Sequence, residues 1–158
     1  MRELEVAGIA FDVCIYESDD TSPASGYGIH VAELLGEDPA SAFKTLVASA
    51  DGGDIVVCCI PVAEELDLKK AARASGHKTL SMLHMADLER VTGYVRGGCS
   101  PVGMKKAYPV LIDETAELFD RIGISGGKRG ISLSLSPEDL VRHTNAILAD
   151  ITREGQSK

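Results

Sequence analysis

Six consecutive apolar residues, Ile55-Val56-Val57-Cys58-Cys59-Ile60, constrain this chain more than any other segment. The run is rich in β-branched residues and too short for a buried helix, so it reads as a strand covered on both faces. Asp51-Gly52-Gly53-Asp54 precedes it and residues 45–50 form a second strand-like run, which predicts a hairpin across a compact glycine turn. Neighbouring residues on a strand face opposite sides, so Cys58 and Cys59 are expected to act as two small buried hydrophobes rather than as joint metal ligands. A strand with no wet face needs a cover on each side. The 158 residues can supply both within one domain spanning residues 1–158.

The remaining pattern interleaves helices and short strands. Residues 9–16 predict a first strand, residues 29–35 a helix stopped at Gly36, and Asp38-Pro39 a capped helical turn. Helices are expected over 66–75, with Asp67 near the start and Gly76 at the end, and over 85–91, ending near Gly93. Short strands follow over 79–82, 110–112, 122–125 and 130–135. Ser136-Pro137-Glu138-Asp139 opens a last helix expected to run to about Thr152. Frequent hairpins among interleaved helices predict a mixed α/β fold, a curved mixed β-sheet closing toward a barrel with surrounding helices, rather than a doubly wound parallel sheet.

The net charge of −8 is unevenly placed: residues 1–65 carry thirteen acids against Arg2 and Lys44, whereas residues 66–158 carry fourteen bases against eleven acids. Such a balance argues against tight unaided binding to a phosphate backbone, while the adjacent pairs Lys69-Lys70, Lys105-Lys106 and Lys128-Arg129 leave room for local phosphate contacts. Aromatic residues make up 4% with no Trp, which disfavours a stacking-type single-strand binder. No apolar run approaches the ~20 residues of a membrane helix, and the first residues lack the apolar segment of a signal peptide. A soluble cytoplasmic protein with reduced cysteines and no membrane contact is expected.

His30, His77, His84 and His143 show no metal-ligand spacing, and the common hydrolase and nucleotide-binding motifs are missing, so neither metal nor cofactor is expected. Gly97-Gly98-Cys99-Ser100-Pro101-Val102-Gly103 is the most informative local segment. Its glycines permit close backbone approach to a ligand and Pro101 stiffens the exit, which suits amides holding a carbonyl or oxyanion; a tight surface turn is the plainer reading. Cys99 has no neighbouring His to form a thiolate. Lys44 opens the hairpin strand as a rare base in the acidic half, and Ser125-Gly126-Gly127-Lys128-Arg129-Gly130 is either a plain glycine turn or a polar rim.

Five segments in order, Phe43-Lys44-Thr45-Leu46, Leu66-Asp67-Leu68-Lys69-Lys70, Thr92-Gly93-Tyr94, Gly97 through Lys106, and Ser125 through Gly130, resemble the YbaK/EbsC family. Its members are relatives of the editing domain of bacterial prolyl-tRNA synthetases. The likeness covers nearly the whole chain and is greatest to the free-standing cysteinyl-tRNAPro deacylases. The resemblance implies that Lys44 positions the aminoacyl end of the tRNA, with Gly97 and Gly98 contacting the aminoacyl group through their backbone. It implies that Tyr16, Tyr27, Thr45, Ser100, Pro101 and Ser125 line the pocket. It further implies that the substrate's own thiol attacks its carbonyl and releases a thiolactone, and that the acceptor end of aminoacyl-tRNAPro and a transient complex with prolyl-tRNA synthetase are the partners. Cys99 and Ser132 depart from the family pattern: the Cys99 thiol is read as incidental, and no carboxylate role is carried onto Ser132. An alanyl-tRNAPro deacylase using a bound water and a non-catalytic binding module of the same fold are the alternatives.

Overall fold

A computed structural model describes residues 2–16, 31–32, 35–36 and 38–154. Tyr27, the Asp19-Asp20 segment and most of the helix expected over 29–35 lie outside the described residues. The hairpin at the centre is as expected: β2 (Phe43–Ala50) and β3 (Ile55–Pro61) pair antiparallel, Thr45 opposite Cys59 and Val47 opposite Val57. Strand β2 begins two residues earlier than the apolar pattern suggests, so Lys44 lies inside the ladder, opposite Ile60.

Both faces of β3 are covered. Val57 and Cys59 join a cluster that includes Phe43, Ile112, Ile122, Ile124, Leu133 and Leu140. Val56, Cys58 and Ile60 join a second cluster with Leu66, Ala71, Ala72, Leu111 and Ile151. The residues from Val56 to Ile60 have no exposed surface, and each such Val or Ile contributes about 1.5–3 kcal/mol on burial. The two cysteines thus face opposite clusters, as the period of two requires.

Two sheets are present among the described residues. The larger adds β4 (Leu80–Met82) antiparallel to β2, and β5 (Val110–Asp113) and β8 (Ile147–Ala149) in parallel beyond β3, in the order β4-β2-β3-β5-β8. The smaller is antiparallel, β1 (Phe11–Ile15) beside β7 (Ile131–Leu135) beside β6 (Ile122–Ser125). A parallel bridge between Ala42 and Gly123 brings the sheets edge to edge, producing the curved, partly closed arrangement. Helix α1 (Arg2–Val6) buries Leu4 in the first cluster, and α2 (Leu68–Ser75) covers the second. Helix α3 (Met85–Thr92) ends at Gly93, and α4 (Pro137–Thr144) starts at the Ser136 cap. No helix among the described residues is long and apolar enough to cross a membrane.

Asp67 caps α2 by accepting from the Lys69 and Lys70 amides at 3.0 Å each, and Asp38 caps the single turn Pro39–Ser41. The last helix differs from expectation. It stops at Thr144 because Asn145 turns into the left-handed region at φ 57°, and the chain continues as β8 instead of reaching Thr152. Pairing with β5 outweighs helix propensity there. The buried Asp113 carboxylate holds the exit, accepting from the Ile151 amide at 3.1 Å and from the Thr115 hydroxyl at 2.6 Å.

Ile112→Ala, which empties a fully buried position, is expected to lower the urea-derived unfolding free energy by about 2–5 kcal/mol. Val6→Ala, at an 80% exposed position, is expected to shift it by less than about 0.5 kcal/mol in the same titration.

Candidate active site

The bridge between Ala42 and Gly123 organises the site. Lys44 and Ser125 each lie two residues past it on parallel strands, so the two side chains belong to one neighbourhood. A cavity of about 420 Å³ opens there, within the size range of small-molecule sites. Tyr16, Lys44, Thr45, Gly97 and Ser125 line it, so the described structure unites five of the residues expected at the pocket. The Tyr16 amide donates to the Gly130 carbonyl at 3.0 Å, which ties the end of β1 to the glycine turn after β6.

Lys44 is half-buried, and burial pulls its pKa below the ordinary lysine value while Glu65 and Glu64 act in the opposite direction. An anionic ligand beside it would offset the same desolvation. Thr45 lies with its hydroxyl 3.7 Å from the Cys59 sulfur, and the Ser125 hydroxyl accepts from the Gly127 amide at 3.2 Å, shaping the turn while facing the cavity.

The two glycine-rich segments pack directly on each other. Gly97 has φ +87°, and a Cβ there would stand 2.5 Å from Nε of Arg129. A Cβ at Gly98 would stand 2.8 Å from the Lys128 Cα, a backbone atom that cannot swing aside. The Gly98 amide donates to the Val95 carbonyl at 3.0 Å, so this residue serves the loop by close approach and internal bonding. Tyr94 secures the junction: its hydroxyl donates to the Val102 carbonyl at 2.5 Å, and its ring borders Gly103 and Gly127. Burial raises the phenol's pKa, which keeps that donor protonated.

Ser100 and Pro101 do not line this cavity. Ser100 is buried with its hydroxyl accepting from the Val102 amide at 3.4 Å, and Pro101 borders a separate cavity of about 150 Å³ shared with Glu3 and His143. The loop turns into the core after Cys99, which carries both residues away from the cleft. Conversely, the cavity is walled by Met82, Leu83, Met85, Leu88 and Arg96, which the sequence reading did not single out. Only Arg96, directly before Gly97-Gly98, had a local signal. The others reach the site because α3 follows β4 at the edge of β2.

Cys99 borders the cavity, and burial pushes its thiol up to about 11; burial likewise pushes Cys58 and Cys59 up to about 12. None is a ready thiolate at neutral pH. Among the described residues no group of three His, Cys, Asp or Glu could hold a metal ion. Gly98→Ala is expected to destabilise the protein by about 1–3 kcal/mol in chemical denaturation, because the loop must move away from the Lys128 backbone.

A family model described as an aminoacyl-tRNA editing domain matches residues 23–143. A relative from Enterococcus faecalis named "Putative Cys-tRNA(Pro)/Cys-tRNA(Cys) deacylase EbsC" is 50% identical over 122 residues, 77% of this chain and 74% of the relative. The crystal structure of "a putative trans-editing enzyme for prolyl tRNA synthetase" superposes with a TM-score of 0.82 at 25% identity, covering 96% of this chain and 93% of that one. The crystal structure of a hypothetical protein, APE2540, superposes with a TM-score of 0.85 at 22% identity over 96% and 97% of the two chains, a likeness of fold. With the family model and a 50% identical relative both spanning most of its length, the chain belongs to the aminoacyl-tRNA editing domain family.

Proposed function

We propose that this chain is an aminoacyl-tRNA deacylase that clears cysteine mischarged onto tRNAPro, acting in trans on the acceptor end. The observation that carries the reading is the cavity in which Lys44, Tyr16, Thr45 and Ser125 meet the backbone of Gly97. The Enterococcus faecalis relative named as a deacylase of that substrate supports it.

An aminoacyl ester is already activated, so orientation and a few backbone donors supply much of the catalysis. Lys44 holds the aminoacyl end, and a backbone donor of the loop at Gly97 receives the ester carbonyl as charge develops on its oxygen. The substrate's thiol attacks the carbonyl carbon and a carbon–sulfur bond forms. The ester carbon–oxygen bond then breaks, and the terminal ribose oxygen leaves with the proton released by the thiol. The products are free tRNA and a cyclic thiolactone. Cys99 takes no part, since its own thiol is held protonated by burial.

The hydroxyls of Thr45, Ser125 and Ser132 on the cavity wall favour a second reading, in which they orient a water against an alanyl ester. A pocket separates such small side chains by only about 1–3 kcal/mol per methylene. The acidic chain, with net charge −8, is expected to gain tRNA affinity through a transient complex with prolyl-tRNA synthetase in the cytoplasm, working as one domain over residues 1–158.

Deacylation of cysteinyl-tRNAPro and alanyl-tRNAPro, measured side by side with and without the synthetase, tests these readings. Rapid loss of the cysteinyl ester with thiolactone release is the expected result. Release of free alanine with no attack on the cysteinyl ester would favour the water route, and loss of neither ester would leave a binding module. Lys44→Met is expected to reduce deacylation about 10²-fold. The same change should leave the melting temperature equal or higher. The folded state holds fewer protons at Lys44 than the unfolded chain between its lowered pKa and 10.5; stability therefore rises with pH across that interval, and below it the buried charge is a cost that Met removes. Cys99→Ser should retain activity within about threefold, because a protonated bystander thiol contributes no nucleophile; loss comparable to Lys44→Met would mean that Cys99 acts directly.

A further inference from the structure

We propose that Arg96 and Lys128, at the mouth of the cavity, form a phosphate-binding rim for the single-stranded 3′ end of the tRNA. The inference rests on the deacylase reading and names the surface that would hold the nucleotide part of that substrate.

Arg96 lines the cavity and directly precedes Gly97, while Lys128 is held against the same loop because a Cβ on Gly98 would lie 2.8 Å from its Cα. Arg129 crosses Gly97 at its Nε, which adds a third cation to the cluster. Arg96 and Lys128 are exposed, and neither forms an ion pair among the described residues. Several other cations already have a carboxylate partner: Lys70 meets Asp150 at 2.9 Å, Arg121 meets Asp12 at 2.8 Å, and Arg153 meets Glu65 at 3.0 Å. What sets these two apart is their place: both are on the loops that border the cavity, where a polyanion would meet them despite the net charge of −8.

The covalent structure of the substrate sets where phosphate must be. With the aminoacyl group in the cavity, the terminal ribose sits at its mouth, and the phosphodiester joining that nucleoside to the next is only a few bonds from the ester. Arginine and lysine at the mouth therefore meet the backbone next to the scissile bond. Low aromatic content fits such charge-based holding of a single strand better than base stacking. The close packing of Gly98 on the Lys128 backbone also explains why the rim stays in register with the carbonyl-holding loop.

The test compares kcat/KM for cysteinyl-tRNAPro with that for cysteinyl adenosine, which has no phosphodiester, over a series of KCl concentrations. Lys128→Gln is expected to lower the ratio of the two about five- to tenfold at low salt and to reduce the slope of log kcat/KM against log salt by about 0.7 on the tRNA substrate. Arg96→Gln should shift the ratio in the same direction, and Lys128→Arg should restore it. Lys78→Gln serves as the control, since Lys78 lies by the far end of β2, next to Thr79, whose hydroxyl bonds Asp51. Because the Gly98 contact involves only the Lys128 backbone, Lys128→Gln keeps the packing, and Arg96→Gln gives an independent reading. Unchanged ratio and salt slope in both variants, with wild type active on the tRNA, would overturn the rim. Wild type inactive on both substrates would instead overturn the deacylase reading.

Discussion

Strand β3 has no face toward water, and that constraint propagates through the molecule. Its two sides demand two covers: the small antiparallel sheet with α4 packs over one, and α2 with the returning C-terminal segment packs over the other. Because β2 is the partner of β3, it is pinned in register by the same burial, and Lys44 is held in a ladder rather than on a loose strand entrance. The Ala42–Gly123 bridge then sets the edge of the small sheet against the start of β2, leaving a cleft where the two sheets diverge. The candidate site is thus a by-product of covering a doubly buried strand.

One wall of the site is built by close approach between two glycine-rich loops. Gly98 against Lys128, Arg129 across Gly97 and Tyr94 between Gly103 and Gly127 join two glycine-rich loops into one wall. With the Gly98 amide bonded inside its own loop, the proposed function leaves the ester carbonyl to the backbone at Gly97, where a fixed dipole in a partly dry cleft is effective. The described residues that line the cavity include no His, Asp or Glu. Under the proposed function, an activated ester carrying its own nucleophile needs placement rather than acid–base groups, and the half-buried Lys44, balanced by Glu64 and Glu65, is a cation whose charge a bound anion would reinforce.

Much of the architecture was legible in local pattern. The β2–β3 hairpin, the opposed facing of Cys58 and Cys59, the Asp67 and Ser136 caps and the strand at Ile122–Ser125 depend on periodicity and capping, which are short-range rules. The last helix ends short of what its pattern predicts, since residues 145–151 carry no Gly or Pro to mark a stop; Asn145 turns the chain, and β8 pairs with the edge that β5 offers. Ser100 and Pro101 sit in a motif that points to the site, yet the direction of the loop past Cys99 carries them elsewhere.

By itself the sequence determined the hairpin, the helix ends, the two glycine-rich loops and the exceptional position of Lys44 in an acidic half, since each is set by a few neighbouring residues. Resemblance to an editing family supplied the meaning of those pieces. Only the tertiary structure decided that residues 97–98 and 127–129 touch, that Met82, Met85 and Leu88 wall the cleft, and that Gly98 spends its amide inside its own loop. These are contacts between segments distant along the chain, fixed by how the sheets pack, and no local periodicity encodes them.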